Sequence, residues 1–127
     1  RVLLSVRRSG ARGYNVPADG GATWGTQGVW NEMQANACNG DMLRVNDTLI
    51  LHSLPNSMQR EKVSVFSSSD EGQSWHSPVL LFDGPSVYSS LTLLPDGTIG
   101  AYIEQNPSGA CELWYYRFNL AWLFGQR

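Results

Sequence analysis

Apolar residues run along this chain in short stretches, each closed by a cluster of Gly, Pro, Asn, Asp or Ser. Short β-branched and aromatic runs bounded by turn residues predict strands rather than helices. The expected strands are residues 1–7, 13–16, 42–45, 48–52, 62–66, 79–82, 90–94, 98–103 and 112–118. Asn46-Asp47 joins two of them as a hairpin, and Pro95-Asp96-Gly97 joins another two. Residues 25–39 read as a longer connection with room for one helical turn at 31–37.

The turns repeat. Pro17-Ala18-Asp19-Gly20-Gly21-Ala22-Thr23-Trp24 and Ser68-Ser69-Asp70-Glu71-Gly72-Gln73-Ser74-Trp75 share the pattern x-x-Asp-x-Gly-x-Ser/Thr-Trp, 51 residues apart. An aspartate carboxylate closes a turn by accepting backbone N–H groups, glycine supplies the backbone freedom, and the hydroxyl adds a local bond. Trp24 and Trp75 are expected to bury a large ring at the start of the next strand. The hairpins at Asp47-Thr48-Leu49-Ile50 and Asp96-Gly97-Thr98-Ile99 repeat as well, 49 residues apart. Self-similarity at such a period, in an all-strand pattern, predicts blades of a β-propeller.

Composition agrees with this. The 127 residues are 42% hydrophobic, with five Trp and thirteen Gly, as a turn-rich β fold requires. The formal charge of −2, without a basic run, leaves no electrostatic footprint for nucleic acid. No apolar stretch is long enough to span a membrane. Cys38 and Cys111 stand at no metal-ligand spacing and read as small core residues or a disulfide, not as a redox or metal site. A blade takes about 50 residues and a closed ring at least four blades, so the chain covers roughly half a ring. Residue 1 already lies in a strand pattern, so residues 1–127 are expected to be the C-terminal part of a single larger propeller domain whose N-terminal blades lie elsewhere. The third blade then takes its outermost strand from outside this segment.

The repeated octapeptide resembles the Asp-box of sialidases and other propellers, with Asp19, Gly21, Trp24, Asp70, Gly72 and Trp75 in its structural positions. The resemblance to exo-α-sialidases extends over most of the chain. Ser86-Val87-Tyr88-Ser89-Ser90-Leu91, Asp96-Gly97-Thr98-Ile99-Gly100 and Tyr102-Ile103-Glu104 resemble that family's C-terminal motifs, as does the ending 117–123. Leu3-Leu4-Ser5-Val6-Arg7 and Ser57-Met58-Gln59-Arg60 resemble the segments that carry two of its three clustered arginines. Arg7 is preferred to Arg8, with Arg12 a further contender. Cys38-Asn39-Gly40 resembles a pocket-lining motif, which puts Asn39 at the pocket.

The resemblance implies a six-bladed, all-β propeller of the sialidase type, of which this chain forms about three blades. It implies an exo-sialidase that removes terminal α-linked sialic acid from glycoconjugates with retention, Tyr88 being the nucleophile. Arg7 and Arg60 would bind the substrate carboxylate, and Glu104 would support an arginine from behind. The chemistry fits these residue types. Arginine presents a planar fork of donors to a carboxylate and keeps its charge. A carboxylate nucleophile would repel the anionic sugar, whereas tyrosine is neutral until it attacks, and sialidases with a Tyr nucleophile depart from the two-carboxylate rule of most glycosidases. A phenol with an ordinary pKa of about 10 needs a base beside it. By family spacing that glutamate, the acid/base aspartate and the first arginine fall upstream of Arg1, so the chain alone is expected to be inactive. No cofactor or metal is implied, the partner is a sialylated glycan, and the resemblance favours a secreted, periplasmic or cell-surface location. Glu32 is read as a surface residue of a connection, and His52 and His76 as ordinary strand or turn residues. The rival expectation is a non-catalytic Asp-box propeller that binds glycans or proteins.

Overall fold

The computed structural model describes residues 1–126. Nine strands and one short helix follow each other as β1 (Leu4–Val6), β2 (Ser9–Asn15), β3 (Gly28–Asn36), β4 (Asp41–Arg44), β5 (Ile50–Pro55), β6 (Glu61–Ser68), β7 (Val79–Leu93), β8 (Ile99–Gln105), β9 (Glu112–Phe118) and α1 (Leu120–Gly125). Each strand pairs antiparallel with the next, as β1-β2-β3 and as β4-β5-β6-β7-β8-β9. β7 changes partner along its length: Val79, Leu80, Phe82 and Pro85 oppose β6, while Ser86 and Ser89 to Leu93 oppose β8. It therefore ends one blade and begins the next. The chain holds three strands of a first blade, a whole second blade (β4, β5, β6 and the first half of β7) and three strands of a third. This is a partial β-propeller.

The two middle strands of the second blade, β5 and β6, are buried on both faces along most of their length. All six residues of β5 are buried. On one side Ile50, Leu54 and Phe66 join Trp30, Met33 and Trp75, which packs the second blade on the first. On the other side Leu51 and Val65 join Leu91, Ile99, Ala101, Phe118 and Leu123, which packs it on the third. Strand alternation divides β5 between the two cores.

The repeated turns have the same internal geometry. Asp19 accepts the N–H of Thr23 at 3.0 Å and its hydroxyl at 2.5 Å; Asp70 accepts the N–H of Ser74 at 3.0 Å and its hydroxyl at 2.5 Å. The Ser74 hydroxyl, opposed by partial burial, holds the Asp70 carboxyl down to about 2. Trp75 is buried, edge-on to Trp30 with ring centroids 5.1 Å apart. Trp24 instead remains 47% exposed. Trp75 is covered because it packs on the preceding blade, and no described residue stands in that place for Trp24.

Other expectations change. Residues 28–36 form a strand, not a connection with a helical turn. Register slips between Ala11 and Arg12, whose partners are Gln34 and Trp30, so Asn31, Glu32 and Met33 are extra residues on β3. This bulge spaces the buried Trp30 and Met33 three apart and breaks the period of two. β1 is shorter than expected and β2 longer. The stretches 79–82 and 90–94 belong to one strand, and the chain adds a helix after residue 118, capped by the side chain of Asn119, which accepts the N–H of Trp122 at 2.7 Å. Cys38 is buried and Cys111 exposed, both free, so neither a disulfide nor a core place for Cys111 is present.

Gly72 has φ 79, and a Cβ there would stand 2.6 Å from a Leu3 methyl; Gly21 has φ 104 and only Trp24 at 3.7 Å. Both need left-handed backbone, but Gly72 also needs space. Urea denaturation should show Gly72→Ala losing about 2 kcal/mol and Gly21→Ala about 1 kcal/mol. Equal losses would contradict the packing described.

Candidate functional site

Antiparallel connections alternate between the two ends of a blade. The two Asp-containing turns and the β4–β5 and β7–β8 hairpins fall at one end. The β1–β2, β3–β4, β5–β6 and β8–β9 connections fall at the other, together with the point where β7 changes blade. Hydrogen bonds tie that second end together: Ser86 donates its N–H to Arg60 O at 3.0 Å, and Asn106 to Pro85 O at 2.9 Å. Arg7 lies in the β1–β2 connection and Arg60 in the equivalent β5–β6 connection one blade later. Asn39 lies between β3 and β4, Tyr88 just past the blade change, and Glu104 near the end of β8.

The segment 37–39 brings the first three together. Arg7 Nη1 donates to Asn39 Oδ1 at 3.3 Å, and Arg60 Nη2 donates to Ala37 O at 3.0 Å. The Arg60 guanidinium carbon sits 5.8 Å from the centre of the Tyr88 ring, within cation–π range. Neither Arg7 nor Arg60 has a carboxylate partner among the described residues; the ion pairs there are Arg44–Glu71 and Arg117–Asp96. Two guanidiniums without counter-charge at one end of the blades favour an incoming anion. Tyr88 is 37% exposed. It lines a shallow cleft of about 160 Å³ with Ser89, Ser90, Tyr102, Glu104 and Leu113. Glu104 likewise has no ion-pair partner among the described residues.

Three bonds from the second-blade side fix the strand that carries Tyr88. Cys38 Sγ donates to Val87 O at 3.2 Å, Ser53 and Ser89 hydroxyls meet at 2.7 Å, and Leu91 donates its N–H to Asp41 Oδ2 at 2.7 Å. These bonds involve alternate residues, 87, 89 and 91, while Tyr88 between them is left exposed. Gly40 is required by the same packing, because a Cβ there would stand 2.7 Å from both the His52 ring and Ser53 O.

Beneath the arginines lies a buried polar network. Arg12 is 3% exposed and His52 is fully buried. Arg12 Nε donates to Ser5 Oγ at 2.7 Å, and Ser5 Oγ lies 2.7 Å from His52 Nε2. The Ser5 hydroxyl hydrogen then points to Nε2, which assigns the ring proton to Nδ1, 3.2 Å from Ser53 O. Burial, with the nearby charge of Arg12, lowers the His52 pKa to about 3, keeping the ring neutral. Burial raises the Cys38 thiol against the pull of Arg60, Arg7 and Arg12. Sequence reading found neither Arg12's burial nor this network. One signal was present: a histidine inside the apolar run 49–54. Glu32 lies exposed on β3 and accepts the N–H of Trp75 at 3.2 Å. His76, in the β6–β7 connection, is exposed.

No family model matches the chain. Among curated proteins it is similar to the sialidase of Micromonospora viridifaciens, 30% identical over 138 residues that take in 98% of this chain and 21% of that protein. Among solved structures it is similar to the leech intramolecular trans-sialidase complexed with 2,7-anhydro-Neu5Ac, with a TM-score of 0.82 and 20% identity over 98% of this chain and 22% of that one. It is similar also to the intramolecular trans-sialidase from Ruminococcus gnavus in complex with oseltamivir carboxylate, with a TM-score of 0.72 and 24% identity over 95% of this chain and 30% of that one. The two structural likenesses are of fold. The chain thus spans about a fifth of the length of the curated relative it matches.

The buried network carries a pH signature. An unfolded imidazole titrates near 6.5, and the folded one only at about 3. Stability from neutral His52 is therefore complete above about pH 6.5 and is lost as pH falls toward 3. Nitrogen NMR of the native protein should show His52 as the Nδ1–H tautomer from about pH 8 to about pH 5. Protonation of His52 near pH 6 would contradict the network.

Proposed function

We propose that this sialidase-family chain supplies the carboxylate-binding and nucleophile-bearing side of an exo-sialidase pocket. The observation that carries the reading is the convergence of Arg7, Arg60 and Tyr88 on one end of the blades, the arginines without acidic partners. A terminal sialic acid bears a carboxylate on its anomeric carbon. Arg7 and Arg60 bind that carboxylate, which orients the sugar and discriminates against neutral glycosides. Tyr88 then attacks the anomeric carbon. Its hydroxyl proton passes to a base, the bond from the anomeric carbon to the glycosidic oxygen breaks, and an acid protonates the leaving alcohol. Water next hydrolyses the sialyl-tyrosine with net retention.

Glu104 shares the cleft with Tyr88 and supports a further arginine of the completed ring rather than moving a proton. The acid, the base and that arginine are supplied by residues outside this chain. Asn39 lines the pocket by holding Arg7. The structural turns at Asp19 and Asp70 lie at the opposite end and take no part in the chemistry.

A fluorinated sialosyl inactivator should label Tyr88 in the full-length protein, as read by peptide mass spectrometry. Tyr88→Phe should lower kcat by about three orders of magnitude while the protein stays folded. The 127-residue chain on its own should turn over no sialoside. Labelling of another residue, or full activity in Tyr88→Phe, would refute the assignment and leave a glycan- or protein-binding propeller as the better reading.

A further inference from the structure

The segment that holds both arginines is itself strained. Ala37 has φ 57, in the left-handed region. An L-residue with a Cβ gives up about 1–2 kcal/mol there. Such a conformation persists where its surroundings over-determine it. Here Ala37 N–H donates to Arg8 O at 3.1 Å, Cys38 Sγ donates to Val87 O at 3.2 Å, and Arg12 Nη1 donates to Cys38 O at 2.7 Å. Arg7 and Arg60 also donate to this segment, at Asn39 Oδ1 and Ala37 O. Arg12 differs from those two arginines because it is buried.

A buried guanidinium without an acidic partner is costly, and an apolar residue of similar size is often as stable or more so. Among the described residues Arg12 has no acidic partner. Its fixed fork instead reaches two neutral partners at once, Ser5 through Nε and Cys38 O through Nη1, each at 2.7 Å. Ser5 is in turn held by His52, whose ring meets both Trp30 at 5.9 Å and Trp75 at 5.7 Å edge-on in a mutually packed trio. The guanidinium therefore has a rigid back support in the inter-blade core and a front contact on the arginine-bearing segment. Its charge adds to that of Arg7 and Arg60 in the same corner.

We propose that Arg12 is a positioning residue for the carboxylate site: it holds the Cys38 carbonyl, and through it the left-handed 37–39 segment on which Arg7 and Arg60 are set. The proposal rests on the reading of that site as a carboxylate clamp. Arg12 itself does not touch the sugar.

The test uses the full-length protein and a sialoside with a chromogenic leaving group. Arg12→Met should raise KM about tenfold, leave kcat within about threefold, and leave Tm unchanged or higher. Arg12→Lys, which keeps a donor for Cys38 O, should restore KM to within about threefold of wild type. A purely structural residue would lower Tm without this KM pattern. A KM for Arg12→Met within about twofold of wild type, or no rescue by lysine, would overturn the proposal. If Arg12→Met does not fold, Ser5→Ala decides: it removes the acceptor for Arg12 Nε and should raise KM about threefold, and an unchanged KM would overturn the role. A wild-type protein that turns over no sialoside would overturn the carboxylate reading and this proposal with it, which separates the two failures.

Discussion

The packing of the second blade between its neighbours is the constraint on which the rest depends. β5 and β6 send alternate side chains into two different cores, so these two strands have no solvent face. Trp75 closes one side against Trp30 and His52. Leu51 and Val65 close the other against Leu91, Ile99 and Ala101. With both faces occupied, relative blade positions are set by side-chain interdigitation rather than by the short connections alone. Arg7, Arg60 and Tyr88 come from three successive blades, so their spacing is a consequence of that packing.

The same constraint explains how polar groups survive in the interior. His52 and Ser53 are adjacent on β5 and point to opposite sides. His52 meets Ser5 of the first blade, and Ser53 meets Ser89 of the third. These two buried side chains thus direct a hydrogen bond to a neighbouring blade, which adds direction to contacts that apolar packing leaves free to slide. Cys38 and Asp41 do the same for the strand that carries Tyr88. One end of the blades is thereby rigid and cationic, while the other carries the closed turns at Asp19 and Asp70.

Much of the fold was legible because turn chemistry is local. Asp, Gly and a hydroxyl at fixed offsets determine the hairpin wherever they occur, and the repeat distance then gives the blade. β3 was not legible, because the bulge at 31–33 spaces Trp30 and Met33 as a helix would. Trp24 was misjudged because its burial depends on a surface outside its own repeat. Arg7, Arg60, Tyr88 and Glu104 were singled out by motif resemblance, and topology places them at one end. Arg12 and His52 escaped because their environment is assembled from different strands. Strand pattern alone gives a charged residue in β2 no sign that it faces inward.

The proposed carboxylate site is tested most directly by where a sialic-acid analogue binds. A crystal structure of the full-length protein with a 2,3-didehydro sialic acid analogue would show it. The account predicts the carboxylate between the Arg7 and Arg60 guanidiniums, with the Tyr88 hydroxyl beneath the anomeric carbon and the 37–39 segment unmoved. A carboxylate bound away from both arginines, or a Tyr88 hydroxyl turned from the sugar, would contradict it.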